Sequence, residues 1–162
     1  YLITRYRLST QIEDQSRAFL QGLTELINPR WLRLFNTEEL RVLVTGADTP
    51  IDVEDLRRNT VYGGYHEKDM AVQYFWEALS SLDQASLKAF LRFVTSSPNP
   101  PLLGFSELNP KFAIRHAGDD ITRLPTASTC VNLLKLPAYN STAQCLEKVK
   151  YAIYSGAGFD LS

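Results

Sequence analysis

The sequence predicts an α+β fold in which a helical amino-terminal segment precedes a lobe of helices packed on a small β-sheet. Apolar residues recur at helical spacing through much of residues 12–94, and clusters of proline and glycine interrupt this pattern. After the proline-rich stretch at 96–101, the apolar runs become short and alternating, as in strands. The chain has 162 residues, of which 44% are hydrophobic, so it can bury one core or two small ones.

Composition and charge exclude several classes of function. A formal net charge of −1 provides no basic surface for nucleic acid or an anionic membrane. The chain contains no apolar run of about 18 residues, and its start, YLITRYRLS, lacks the pattern of a signal peptide. Two cysteines and two histidines are too few for a disulfide framework or a zinc site, so we expect neither metal nor cofactor. We expect a reducing compartment, the cytosol or the nucleus.

The first segment is predicted to be helical, and its helices alone make only a thin core. Apolar spacing predicts a helix over 12–27, which the Asn28-Pro29 pair should end because a residue before proline disfavours the α region. Asn36 and Glu39 have the spacing of a capping box for a second helix that runs to about Val44. Because the chain starts at Tyr1 without a methionine, we expect it to be a piece of a longer protein.

A cluster of turn-forming residues at 45–50 predicts a hinge, and residues 51–162 are predicted to form the second domain. Asp52 is placed to cap a short helix that runs to about Arg58. The Tyr-Gly-Gly-Tyr sequence at 62–65 then breaks the chain again.

Two amphipathic helices are predicted next. Their apolar residues fall at i, i+3, i+4 and i+7, and Asp83 is the predicted cap of the second helix. These residues are Val72, Phe75, Trp76 and Leu79 in the first helix and Leu87, Phe90, Leu91 and Val94 in the second. The pattern predicts a helical hairpin whose inner faces carry aromatic side chains.

The last part of the chain predicts strands and a final helix. The runs at Phe112–His116 and Thr129–Leu136 are typical of strands. A stripe from Cys145 to Ile153 predicts a helix that is capped near Ser141 or Thr142 and ends at Gly156.

Cys130 is the candidate nucleophile. An isolated cysteine in an apolar strand is more often a core residue than a nucleophile. Cys145 lies on the apolar face of a predicted helix, where packing alone explains it. The hydroxyl residues Thr126, Ser128 and Thr129 precede Cys130, and each would need a hydrogen-bond partner if it were buried. They therefore place the cysteine near a surface or cleft. No neighbouring cation favours a thiolate, which suits thioester exchange better than unaided attack on an amide.

The segment LPTASTCVNLLKLPAY at 124–139, followed by a helix and GAGFDLS, resembles the carboxy-terminal lobe of HECT-type ubiquitin ligases. The family pattern is Leu-Pro, two variable residues, His, Thr, Cys, a hydrophobic residue, Asn and a strand ending in Leu-Pro. Further features that resemble the family lie upstream of this segment. The distance of 32 residues from Cys130 to the last residue also resembles that in the family. These upstream features are Tyr62–Tyr65, the Phe75-Trp76 helix and LRFVTSSPNPPLLGF. Residues 1–44 resemble the last helices of the family's amino-terminal lobe, and ASTC with GFDLS most resembles its proteasome-associated subgroup.

The resemblance implies that Cys130 accepts ubiquitin as a thioester from a conjugating enzyme and transfers it to a substrate lysine. Thr129 and Asn132 match the motif, and they either orient the thioester or hold the local backbone. The family's histidine two residues before the cysteine is Ser128 here, so its role is not carried over.

Transfer to lysine needs a neutral amine, for which Asp160 or the terminal carboxylate of Ser162 is the candidate proton acceptor. Phe159 matches the family's tail phenylalanine, which is implicated in transfer, whereas the alternative is a frayed terminus. The implied partners are ubiquitin, substrate proteins, the proteasome and a conjugating enzyme that binds a missing part of the amino-terminal lobe. The chain alone is therefore expected to be weak or inactive in the complete reaction.

Two other interpretations stay open on the sequence. One is a cysteine hydrolase in which Cys130 acts with His116 and with Asp119 or Asp120, provided that a base lies within hydrogen-bond reach of the sulfur. The other is a non-catalytic binding module that uses the Phe75-Trp76 helix or the tail. His66 reads as a surface residue in a turn.

Overall fold

The computed structural model describes residues 2–46 and 48–155, and it confirms the α+β class. The α-helices are α1 (Leu2–Arg5), α2 (Glu13–Leu26), α3 (Pro29–Leu32), α4 (Thr37–Thr45), α5 (Val53–Arg58), α6 (Met70–Ser80), α7 (Gln84–Thr95) and α8 (Thr142–Ser155). The strands are β1 (Val61–Gly63), β2 (Ala113–His116), β3 (Thr126–Ser128) and β4 (Leu133–Leu136). A π-helical turn covers Tyr6–Thr10, and 310 turns cover Phe105–Glu107 and Thr129–Val131. Within the described parts, no helix has the length and apolar content needed to cross a bilayer.

The chain forms two compact units, residues 1–41 and 42–162, and the predicted hinge at 45–50 stays a prediction. In the first unit, the predicted helix is present as α2, and α1 and α3 are additional short helices. The predicted capping box is confirmed, because the Asn36 side chain accepts from the Glu39 N–H at 2.9 Å and the Glu39 carboxylate accepts from the Asn36 N–H at 2.7 Å. No described side chain of α2 is buried.

The second unit is built on a four-stranded mixed sheet with the order β1-β2-β4-β3. β1, β2 and β4 are parallel, whereas β3 pairs antiparallel with β4. Ile114, Leu134 and Ala127 are cross-strand neighbours and all are buried, while Arg115 is exposed. This alternation packs one face of the sheet into the core.

Helix α8 packs against both α6 and α7, and α7 also contacts β3 and β4. The predicted hairpin with aromatic inner faces is confirmed by the contact between Phe75 of α6 and Phe90 of α7. The predicted cap is also confirmed, since Asp83 accepts from the Ser86 N–H at 2.7 Å. The rings of Phe75 and Phe90 lie 5.9 Å apart across the hairpin, and that of Phe90 lies 6.1 Å from Phe112 beside the sheet. One apolar core therefore joins both helices to the strands.

Two predictions for the strands were wrong. Residues 62–65 were predicted only as a break, yet Val61–Gly63 forms the edge strand β1, which starts with a 2.9 Å bond from the Val61 N–H to the Phe112 carbonyl. Residues 129–132 are not part of a strand, because β4 begins at Leu133. The first difference depends on pairing with β2, about 50 positions away, and the second on a hairpin loop whose Asn132 bonds to Pro110; local patterns report neither contact.

Candidate active site

Cys130 lies in the loop of a β-hairpin. Ser128 of β3 pairs with Leu133 of β4, and the four residues between them form a 310 turn followed by Asn132 in the left-handed conformation, with φ of 50°. The Asn132 N–H closes the turn on the Thr129 carbonyl at 3.3 Å. Four-residue loops of this kind join antiparallel strands tightly. Cys130 is exposed at the tip of this hairpin, which agrees with the predicted surface or cleft.

Asn132 anchors this turn to the start of β2. Its side-chain Nδ2 donates to the Pro110 carbonyl at 2.7 Å, and its carbonyl accepts from the Ala113 N–H at 3.0 Å. The residue is only 7% exposed, so this amide is satisfied inside the protein. Asparagine also tolerates the left-handed conformation better than most residues. This geometry favours the interpretation in which Asn132 holds the backbone beneath Cys130.

The two residues that precede Cys130, Ser128 and Thr129, have hydroxyls that a ligand can contact. Ser128 and Thr129 are half-buried, and neither hydroxyl makes a hydrogen bond to any residue in 2–46 or 48–155. A threonine hydroxyl can both donate and accept. The Thr129 hydroxyl, next to the exposed sulfur, can therefore contact a group that binds there.

Both histidines lie at the opposite end of the sheet from Cys130. Ala113 pairs with Leu133, the first residue of β4 after the Cys130 loop, and His116 pairs with Leu136. The backbone of His116 therefore lies three strand residues, about 10 Å, from the end of the sheet that carries Cys130. His116 instead contacts Asp119, with Nε2 3.2 Å from Oδ1, and its ring packs edge-on against Tyr65. His66 follows β1, whose parallel direction puts it at that same end.

This arrangement does not support the cysteine hydrolase interpretation, because its base would have to reach Cys130. Asp119 contacts His116. Asp120 accepts from the Thr122 hydroxyl at 2.6 Å and from the Thr122 N–H at 3.0 Å. These bonds hold the pKa of the Asp120 carboxyl below its ordinary value. Among the described residues, no group of three or more His, Cys, Asp or Glu side chains could hold a metal ion.

A family model described as HECT-domain (ubiquitin-transferase) matches residues 1–162. The chain belongs to the HECT-domain family. The chain is 49% identical to E3 ubiquitin-protein ligase HUL5 of Saccharomyces cerevisiae, over 99% of this chain and 18% of that protein. It is 45% identical to E3 ubiquitin-protein ligase UPL6 of Arabidopsis thaliana, over 100% of this chain and 16% of that protein. It is 40% identical to Ubiquitin-protein ligase E3B of Homo sapiens, over 100% of this chain and 18% of that protein.

This HECT-domain chain has a second cysteine of a different kind. Cys145 lies in α8 with no exposed surface, and burial raises the pKa of its thiol to about 12. A thiol with so little thiolate near neutral pH is a poor nucleophile. The prediction that Cys145 is a core residue is confirmed, and Cys130 is the thiol that a reagent or a second protein can reach.

Two of the site residues expected from the HECT resemblance, Phe159 and Asp160, lie outside the described residues, and their roles stay predictions. One contact in the site had no counterpart in the sequence reasoning, namely the Pro110 carbonyl that accepts from Asn132. The available signal was the asparagine itself, since Asn between two apolar runs is typical of a left-handed turn residue. Its partner lies 22 positions away, which no local pattern reports.

Proposed function

We propose that Cys130 accepts ubiquitin as a thioester and transfers it to a lysine of a substrate protein. The observation that carries the proposal is the exposed thiol at the tip of an anchored hairpin, in a chain of the HECT-domain family. An exposed tip allows two large proteins to approach the sulfur in turn. A sulfur in a cleft beside an imidazole would instead favour hydrolysis.

Both steps are exchanges at one carbonyl carbon. The Cys130 sulfur forms a bond to the carboxy-terminal carbonyl of ubiquitin, the bond to the conjugating enzyme's sulfur breaks, and the thiol proton passes to that leaving sulfur. A neutral lysine amine then attacks the same carbon, the bond to Cys130 breaks, and a proton lost by the amine restores the thiol. The first step exchanges one thioester for another, so its driving force is close to neutral.

The neighbouring residues take distinct roles in this proposal. Thr129 binds the thioester through its hydroxyl, and Asn132 positions the turn through its bonds to Pro110 and Ala113. Asp160 accepts or orients the proton of the attacking lysine, and Phe159 takes part in the transfer. With Ser128 in place of a histidine, proximity to an already activated thioester contributes more than a nearby cation would.

The remaining partners are also proposals, because the chain spans only 16 to 18% of the length of relatives such as HUL5 and UPL6. We propose that a conjugating enzyme binds a part of the longer protein outside this chain. Association with the proteasome and a location in the cytosol or nucleus likewise stay proposals. Co-purification and imaging of the tagged full-length protein test them.

The test uses two ubiquitin donors on the 162-residue chain. A small-molecule thioester of ubiquitin needs no docking surface, so we expect it to form an adduct on gels that reductant removes. A charged conjugating enzyme should load the same chain at least tenfold more slowly than it loads the full-length protein, since docking raises the effective concentration.

Cys130→Ala should abolish the adduct with either donor, whereas Cys145→Ala should retain it because that thiol is buried. An adduct that survives Cys130→Ala contradicts the assignment of the nucleophile. Unimpaired cellular function of the full-length Cys130→Ala protein would instead favour the non-catalytic binding module.

A further inference from the structure

Lys111 lies beside the turn that carries Cys130. The Asn132 side chain donates to the Pro110 carbonyl at 2.7 Å, and the Asn132 carbonyl accepts from the Ala113 N–H at 3.0 Å. Lys111 stands between these two partners in the sequence, so its backbone lies one strand spacing, about 5 Å, from that of Asn132. Cys130 precedes Asn132 by two residues in the same turn. The fold therefore brings together a lysine and a cysteine that are distant in the sequence.

The Lys111 side chain leaves the core on the outer face of the sheet. Phe112 is 1% exposed, whereas Lys111 is exposed. Because side chains alternate along an extended chain, Lys111 shares its face with Ala113 and with the paired residues Leu133 and Ser128. The amine is thus on the same face as Ser128, from which the chain enters the Cys130 turn.

Lys111 is also available to react. It makes no hydrogen bond or ion pair with any residue in 2–46 or 48–155. The other five lysines of the chain are either engaged, half-buried or exposed elsewhere. The first three are Lys88, which pairs with Asp48, Lys148, which donates to the Thr122 carbonyl, and Lys135 within β4. The exposed two are Lys68, which contacts His66 at the far end of the sheet, and Lys150 on α8.

We propose that Lys111 accepts ubiquitin from Cys130 of the same chain, an inference that rests on the thioester of the proposed function. The lysine amine stands on a flexible four-carbon stem that extends about 6 Å beyond its Cα. Rotation about the side-chain bonds can therefore bring it to a carbonyl carbon attached to the Cys130 sulfur.

The transfer is an exchange at that carbon. The neutral amine of Lys111 forms a bond to the terminal carbonyl carbon of ubiquitin, and the bond from this carbon to the Cys130 sulfur breaks. A proton lost by the nitrogen restores the thiol. The product is an isopeptide bond, which reductants do not cleave.

This linkage regulates the site. Ubiquitin on Lys111 is held beside the Cys130 loop, where it obstructs the approach of another protein to the sulfur. Because donor and acceptor belong to one chain, dilution does not lower their effective concentration. A loaded chain that meets no substrate lysine therefore inactivates itself.

The test starts from the 162-residue chain loaded with the small-molecule thioester of ubiquitin and then desalted to remove the donor. We expect the adduct that reductant removes to convert with time into one that resists reductant, at a rate independent of chain concentration. Mass spectrometry of a tryptic digest should locate the ubiquitin remnant on Lys111. The isolated product should accept a second ubiquitin on Cys130 more slowly than the unmodified chain does.

Lys111→Arg should slow this conversion at least about tenfold while leaving the formation of the thioester unchanged. Lys68→Arg, at an exposed lysine of the far end of the sheet, is the matched control and should change neither rate. Formation of the thioester also reports that each variant keeps its fold.

The outcomes separate this inference from the proposed function. Absence of any reductant-sensitive adduct overturns the proposed function. A thioester that forms but is lost only by hydrolysis, a remnant on another lysine, or equal conversion in Lys111→Arg overturns the role of Lys111 alone. A conversion rate that rises with chain concentration identifies transfer between copies and overturns transfer within one chain. Undiminished reloading of the product overturns the self-inactivation.

Discussion

At the scale of single residues, two hydrogen bonds of Asn132 determine the position of Cys130. Asn132 joins the hairpin loop to the segment that enters β2, through Nδ2 to Pro110 and through its carbonyl to Ala113. The sulfur itself is exposed and touches no imidazole. In the proposed transfer, the protein therefore contributes the position of the nucleophile, and the incoming thioester contributes the activation.

Asn132→Ala should disturb the position of the Cys130 thiol without changing its intrinsic reactivity. The variant loses a buried hydrogen bond and puts alanine at a positive φ, which should cost roughly 1–3 kcal/mol in urea unfolding. At a temperature where the variant stays folded, we expect thioester formation with the small-molecule ubiquitin donor to fall about tenfold or more. Alkylation of Cys130 by iodoacetamide, which needs no orientation, should change little.

Asn132→Gly separates the two causes, because glycine accepts the left-handed conformation but cannot reach Pro110. Asn140→Ala, at an exposed asparagine, is the surface control and should leave both rates unchanged. Equal losses of alkylation and thioester formation would show that Asn132 only maintains the fold.

At the scale of elements, β1 depends on α6 as well as on β2. The strand has only three residues and one free edge, so its ladder to β2 stabilises it weakly. The Tyr62 hydroxyl accepts from the Trp76 indole N–H at 3.0 Å, and Trp76 is 1% exposed. This bond joins the middle of the strand to the buried face of α6.

Tyr62→Phe should therefore destabilise the protein more than the loss of one hydroxyl suggests. It leaves the Trp76 N–H buried without its acceptor, for which we expect about 1–3 kcal/mol in urea unfolding. Tyr74→Phe on the same helix is the matched control, since its hydroxyl makes no hydrogen bond to the described residues. Equal stability of the two variants would show that the Trp76 bond contributes nothing.

At the scale of the whole molecule, the second unit has one core that contains several weak acids in neutral form. Burial is the main cause that raises the pKa of Tyr62, of Tyr65 to about 12, of Tyr139, and of Cys145 to about 12. Each group ionises at lower pH in the unfolded chain than in the folded one. The unfolded chain therefore binds fewer protons at alkaline pH, and stability falls as pH rises.

For Cys145 this loss should begin near pH 9 and continue to about pH 12. Its slope approaches about 1.4 kcal/mol per pH unit in the middle of that window, and the contribution is intact below pH 9. Urea unfolding under reductant at pH 7.5, 9.5 and 10.5 measures it. Cys145→Ala should be less stable at pH 7.5 but should lose stability less steeply above pH 9. Parallel pH profiles of the two proteins would contradict the buried thiol as the source.

Local signals in the sequence determined the helices of the second unit and their caps. The apolar spacing in α6, α7 and α8 and the cap at Asp83 depend on residues three or four positions apart, so a single sequence displays them. The motif around Cys130 likewise identified the HECT-domain family, which the family model confirms.

Only the tertiary structure decided the geometry around the sulfur. Strand β3 and the loop at 129–132 exist because Ser128 pairs with Leu133 and because Asn132 reaches Pro110, 22 positions earlier. The distance from Cys130 to His116 follows from the register of β2 on β4, and that to His66 also depends on the register of β1 on β2. The Asn132–Pro110 bond and the pairing of β2 with β4 join segments that are distant along the chain, so their free energy depends on packing that local propensity does not encode.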